Sequence, residues 1–248
     1  IQDKMKNKVR LLLSEVQQKM SGYAVFLNYR YLNFCVKAEP VSLLSVNIVI
    51  NDEERNIEDV ASVDLPNTNH ILLYPYENSF MFPICKGINQ VHPEFKIERK
   101  RGNDAGLQTE GGSNEGEEDE RQVIVCTMPE MNKDRHDAGL DFVDAAFHEA
   151  KGKIEFTHKS YSVKIADALK GEKAEEIDEA TNELDDIHKQ IMEMCEGYRN
   201  NKAKEIEEAY QYYLQEQEKK MKTEQETHTA HNQEAGHSMQ IPKSSIFS

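Results

Sequence analysis

The chain has 248 residues, of which 38% are hydrophobic and 30% charged, with a formal charge of -15 at pH 7. That length can bury one large core or two small ones. So acidic a balance excludes a general nucleic-acid binder, whose affinity comes from lysine and arginine displacing counterions from phosphate.

Across residues 5–34, Val9, Leu12 or Leu13, Val16, Met20, Tyr23, Leu27 and Tyr31 recur at three and four residues, the spacing of one helical face. Gly22 is a soft spot in it. Pro40 stops this pattern, and residues 41–50 form an apolar, β-branched run that reads as a strand, followed by a polar turn over 52–56. A second strand is expected over His70-Ile71-Leu72-Leu73-Tyr74-Pro75-Tyr76, with Pro75 marking its end or a sheet edge. Residues 80–88 predict a short helix interrupted at Pro83, and residues 95–98 and 122–127 predict strands flanking an insertion. In that insertion, residues 102–121, Glu110, Glu115, Glu117, Glu118, Asp119 and Glu120 crowd together and Leu107 is the one large apolar residue. Such a segment cannot offset its chain entropy by burial, so a disordered acidic loop is expected.

After Pro129, Asn132 is placed to cap a long helix whose stripe is Leu140, Val143, Phe147, Ala150, Ile154, Tyr161, Ile165 and Ala168. Gly171 punctuates it. A third helix carries Ile177, Ala180, Leu184, Ile187, Ile191, Met194, Tyr198, Ile206, Ala209 and Tyr213, with a polar interruption over 199–202. Tyr210 and Tyr212 continue it and are expected, with Tyr213, to pack or to meet a partner. From residue 216 the stripe vanishes, and the tail over 216–248 is expected to be frayed or flexible until it meets a partner.

Three helices with one narrow apolar stripe each bury those stripes best against one another. The expected architecture is α+β: a three-helix bundle from residues 1–39 and 128–215, with a small β/α/β domain inserted over 40–127. Cys35, Cys85, Cys126 and Cys195 show no Cys-x-x-Cys spacing and read as reduced thiols. The chain holds no run of 18 apolar residues, no glycine-rich phosphate loop, no Gly-x-Ser-x-Gly and no His-Glu-x-x-His. Neither a membrane partner, a small-molecule substrate, a cofactor nor a metal site is expected; His228, His231 and His237 lie in the polar tail without orienting groups. An enzyme is not expected. The first residue is isoleucine, so a longer precursor with an organellar presequence is the expectation.

Three local segments carry a family resemblance. Val36-Lys37-Ala38-Glu39-Pro40-Val41-Ser42-Leu43-Leu44 is similar to the Thr-Gly-Arg-Ala-x-Pro-Ser-Leu-Leu segment of ribosome recycling factors. Residues 125–135 resemble their Val-Pro-Leu-Pro-Pro-Leu-Thr-Glu-Glu-Arg-Arg segment, with Pro129 on a proline position and Arg135 on the first arginine. Residues 149–160 fall where that family carries a basic Arg-Val-x-Val-Arg-Asn-x-Arg-Arg-Asp run. The order helix, small β-rich module, helix, helix is also similar, over about residues 5–206.

The resemblance implies binding at the intersubunit face of the large ribosomal subunit, to rRNA and ribosomal proteins. It also implies splitting of post-termination ribosomes with an elongation factor G-type GTPase, in a mitochondrion (the matrix) or another organelle such as a plastid. By the same resemblance, rRNA contacts fall on Arg135, Lys37, Lys151, His158 and Lys159, and the hinge on Val36, Pro40, Thr127 and Pro129. A cation in the first turn of a helix opposes the dipole, which makes a purely stabilising role for Arg135 a poor expectation. Glu155 and Asp144 stand where the family has arginine, and Val36 where it has glycine. A weakened rRNA-facing edge follows, and with it an alternative: a resident structural or assembly component of the mitochondrial large subunit.

Overall fold

The computed structural model describes residues 2–101 and 121–237. Three long helices, α1 (Gln2–Asn33), α4 (Lys133–Ala168) and α5 (Ala174–His237), form an up-down-up bundle. Arg30 bonded to Glu149 and Tyr161 bonded to Glu15 fix α1 antiparallel to α4. Arg199 on Asp144 and His158 against Asp185 do the same for α4 and α5. Val16, Met20, Leu27, Tyr31, Val143, Phe147, Ile154, Tyr161, Leu184, Cys195 and Ile206 are among the residues of one buried core. The tight α4–α5 turn uses Gly171 at φ 88, a conformation that a side chain would strain.

Between α1 and α4 the chain builds a second, separate core. The sheet order is β3 (Ala61–Asp64), β4 (His70–Pro75), β6 (Gln122–Thr127), β5 (Lys96–Arg101), all antiparallel. One face of it presents Ile71, Leu73, Ile124 and Cys126 to Met81, Ile84 and Ile88 of α3 (Met81–Val91). The edge strand β5 is charged, with Lys96, Glu98 and Lys100 ion-paired along it, which discourages edge-to-edge pairing. A two-stranded ribbon, β1 (Asn47–Ile50) and β2 (Glu53–Asn56), packs against α3. There Gly87 lets the helix approach so closely that an added Cβ would lie 2.7 Å from the Asn47 carbonyl oxygen.

Several expectations are corrected. Residues 41–50 do not form one strand: Pro40–Leu43 is a 3-10 turn, because proline is pre-shaped for a first helical position and Ser42 Oγ accepts the Glu39 N–H at 3.0 Å. The polar turn over 52–56 is largely β2. Its Asn51-Asp52 hairpin holds both residues at positive φ, 52 and 62, which suits a primed turn, and pairing with β1 outweighs the polar composition. The short helix α2 (Ile57–Val60) and β3 were missed for the same reason: they are four residues each and only half apolar. Pro83 does not interrupt α3, since it lies in the first turn, where its missing N–H costs nothing.

Nor is α5 interrupted at 199–202 or frayed from 216; it runs as one helix to His237, about 96 Å at ~1.5 Å per residue. Its polar stretch is rich in helix-forming Gln, Glu and Lys, reinforced by Lys219–Glu216 and Lys222–Glu218 pairs, and extending an established helix avoids the nucleation cost. The expected acidic loop falls, save Arg121, outside the described residues, as do residues 238–248 of the expected tail.

Candidate functional site and hinge

Two short linkers, residues 34–39 and 128–132, connect the bundle to the smaller unit. Both are tied to the same loop of that unit: Ala38 N donates to Thr68 O at 2.7 Å and Met128 N to Asn69 O at 2.8 Å. Asn132 caps α4, its side chain accepting the Arg135 N–H at 2.9 Å, as its position in the sequence predicts.

Arg135 ties the linkers to each other. Nη1 donates to Pro129 O at 3.0 Å and Nη2 to Cys35 O at 2.5 Å, while the guanidinium lies 5.3 Å from the centre of the Phe34 ring. Burial pushes its pKa down, against the opposing charge of Glu94. This corrects the expectation that a stabilising role for Arg135 is poor. Two carbonyl acceptors and an aromatic face outweigh the helix dipole and occupy the fork that a phosphate would need.

Further groups complete the junction, and sequence reasoning missed them. Lys202, buried on α5, donates to Phe34 O at 3.1 Å and to Glu205 at 2.9 Å. His92, fully buried, lies 2.7 Å from Ser42 O and 2.9 Å from Glu94, stacked on Phe95 at 4.5 Å. Burial would raise the Glu94 pKa, but the His92 bond, its own backbone N–H and Arg135 hold it below the ordinary carboxyl value. A lone histidine and a lysine in a polar run carry no periodic signal, so only the fold reveals them.

Of the expected hinge residues, Val36 lies at a bend in the first linker and packs against the bundle core, and Pro129 lies in the second. Pro40 and Thr127 sit one residue inside secondary structure, in the 3-10 turn and at the end of β6, so they bound the linkers.

The expected rRNA-contacting residues divide into two groups. Lys37 and Arg135 belong to the junction; Lys37 is exposed, 3.1 Å from Glu39, which together with Glu205 and Glu208 raises its pKa. Lys151, His158 and Lys159 lie along α4, Lys159 about 36 Å from Arg135 at ~1.5 Å per residue. Lys159 is exposed and has no ion pair among the described residues. Lys151 faces Glu155 at 4.0 Å and His158 faces Asp185 at 2.8 Å, so two of the three are engaged by carboxylates of this chain. Beside them, burial and the neighbouring His158 lower the pKa of His188, whose Nε2 is buried without a hydrogen-bond partner among the described residues. Among the described residues no group of three or more His, Cys, Asp or Glu side chains is arranged to hold a metal ion, and no helix is long and apolar enough to cross a membrane.

A family model for the ribosome recycling factor matches residues 32–206. A solution structure of the ribosome recycling factor superposes with a TM-score of 0.63 at 13% identity, over 81% of this chain and 98% of that one. In a set of models for the T. thermophilus ribosome recycling factor and the E. coli elongation factor G bound to the E. coli post-termination complex, one chain matches with a TM-score of 0.49 at 15% identity, over 80% of this chain and 98% of that one. No curated protein gives a significant sequence match. The match to the solution structure shows the fold: the three-helix bundle with its inserted sheet module.

Proposed function

The chain belongs to the ribosome recycling factor family, and on that premise we propose that it binds the intersubunit side of the large ribosomal subunit and splits post-termination ribosomes with an elongation factor G-type GTPase. The family is one of non-enzymatic translation factors. The chain acts as wedge and lever, and the partner GTPase supplies the bond chemistry.

One observation carries this reading: two separate hydrophobic cores are joined by two short linkers, cross-tied at the start of α4 by Arg135, with a Ser45–Asn33 bond at 2.6 Å beside them. Such a junction lets a rigid bundle hold its place while the smaller unit changes its angle. In this proposal the bundle is residues 1–39 and 128–215, and the swinging unit is 40–127. Lys159, Lys151 and His158 on α4, with Lys37 at the junction, face rRNA phosphates, and ribosomal proteins complete the contact. The compartment in this proposal is the mitochondrial matrix.

The test is light scattering of purified post-termination ribosomes. The chain accelerates splitting only with the GTPase and GTP present, and Lys151→Glu with Lys159→Glu weakens ribosome binding and flattens its salt dependence. Splitting that is unchanged by the chain contradicts the proposal. Recovery of the chain with plastid or cytosolic ribosomes contradicts the compartment.

A second reading has its own observation. Lys151, His158 and Arg199 are engaged by Glu155, Asp185 and Asp144 of this chain, which leaves little free positive charge for rRNA. A resident or assembly component of the large subunit, held through protein contacts, fits that pattern, and salt-resistant stoichiometric association distinguishes it.

A further inference from the structure

Beyond Ile206 the helix α5 leaves the region matched by the family and continues past the junction. A cleft of about 470 Å³ opens there, between this added length and the linkers. Its far wall is formed by Val36, Lys37, Glu130 and Met131 with the loop residues Thr68 and Asn69, and its near wall by Glu205, Glu208, Tyr212, Tyr213, Glu216 and Lys220 of α5. The volume is that of an ordinary ligand site.

Its chemistry is one-sided. Four carboxylates, Glu130, Glu205, Glu208 and Glu216, line it against two ammonium groups, and Lys37 is already bonded to Glu39. The α5 carboxylates have lysine partners on their own helix, Lys202 for Glu205, Lys204 for Glu208 at 3.8 Å and Lys219 for Glu216 at 3.3 Å. The exposed pairs of Glu208 and Glu216 are weak and exchange readily for a better cation, while Glu205 stays with the buried Lys202. Glu130 is exposed and has no ion pair among the described residues. Tyr210 is taken up in stacking on His136 at 4.3 Å, but Tyr212 is 58% exposed and Tyr213 lies half-buried beside it. Phenol faces set among carboxylates suit a guanidinium, which stacks and bonds at once. Phosphate is repelled by the same carboxylates, so RNA is the wrong occupant.

We propose that this cleft seats an extended, arginine-bearing segment of a partner protein, with a guanidinium against Tyr212 or Tyr213 and the carboxylates of Glu130 and Glu208. Because the cleft has one wall on the bundle and another on the linkers and the 68–69 loop, its occupant fixes the angle between the two units. The ribosomal reading is not a premise of this site.

The experiment uses the full chain and a dye-labelled octa-arginine peptide, read by fluorescence anisotropy at constant salt. The net charge alone attracts such a peptide, so the comparison is between equal charge changes. Glu130→Gln with Glu208→Gln in the cleft weakens binding at least tenfold, while Glu224→Gln with Glu226→Gln, on the exposed length of the same helix, changes it less than twofold. Tyr212→Ala weakens binding about fivefold at unchanged net charge, with circular dichroism of each variant matching the parent. Equal effects of the two glutamate pairs, an inert Tyr212→Ala, or no peptide binding overturns the proposal, as does displacement of the peptide from the cleft by an RNA oligomer.

Discussion

Arg135→Ala tests the junction directly. The substitution removes the bonds to Pro129 O and Cys35 O and leaves both carbonyls without that donor. A hydrogen bond to a charged group contributes roughly 1.5–3 kcal/mol net, and because the side chain is half-buried the lower end applies to each. The contact with Phe34 adds about 0.5–1 kcal/mol. The junction therefore loses about 3.5–4 kcal/mol, which is a several-hundred-fold (~300–700) change in how often it opens. The bundle core, centred on residues such as Ile154 and Leu184, is untouched. Hydrogen exchange separates the two: the Ala38 and Met128 amides, bonded to Thr68 O and Asn69 O, exchange at least a hundredfold faster, while core amides of α4 keep their protection. Arg135→Lys, which keeps the charge but cannot span both carbonyls, falls between. Unchanged linker exchange in the alanine variant refutes the staple, and equal acceleration in linkers and core makes Arg135 a general stabiliser instead.

Three further outcomes follow from named contacts. Burial disfavours the imidazolium of His136, but Asp137 and Glu207, at 2.8 and 2.9 Å, outweigh this and raise its pKa. Its contribution to the α4–α5 seam is thus complete below the ordinary histidine value of about 6.5 and is lost as pH rises through the raised one; His136→Gln flattens that part of a urea-stability profile on the alkaline side of about pH 6.5. Gly87→Ala puts a Cβ 2.7 Å from Asn47 O and 2.8 Å from Ile48 Cδ1, and is expected to cost the smaller unit about 1–3 kcal/mol in urea unfolding, whereas no loss means that α3 shifts freely on β1. The Tyr31 hydroxyl donates to Val143 O at 2.7 Å inside the bundle, and burial holds its pKa up at about 12, so Tyr31→Phe is expected to lower bundle stability by about 1–2 kcal/mol.

The long helices were legible because burial on one face leaves a periodic mark. Val9, Val16, Met20, Leu27 and Tyr31 in α1, and Val143, Phe147, Ile154, Tyr161 and Ile165 in α4, are buried as their spacing predicts. Where two apolar residues are adjacent, spacing chose the wrong one: in α5, Met194 is exposed and Cys195 holds the core position instead. The β2 strand escaped notice because an exposed ribbon needs only backbone pairing, which its Glu-Glu-Arg-Asn composition does not announce. The two linkers were bounded to within one residue by Pro40 and Thr127. Their chemistry was not legible, since the acceptors of Arg135 and Lys202 are backbone carbonyls, and any residue type supplies one. The family resemblance marked Lys37, Lys151 and His158 as rRNA contacts, and what it could not show is that the fold brings each within reach of a carboxylate.

The central claim is that the chain visits ribosomes to split them. Gradient sedimentation of native particles, with this chain quantified in mature ribosomes, large subunits and assembly precursors at low and high salt, tests it most directly. The account predicts substoichiometric presence on mature or post-termination particles, lost as salt rises. Near one copy per large subunit or precursor, retained in high salt, or absence from every ribosomal fraction, contradicts it.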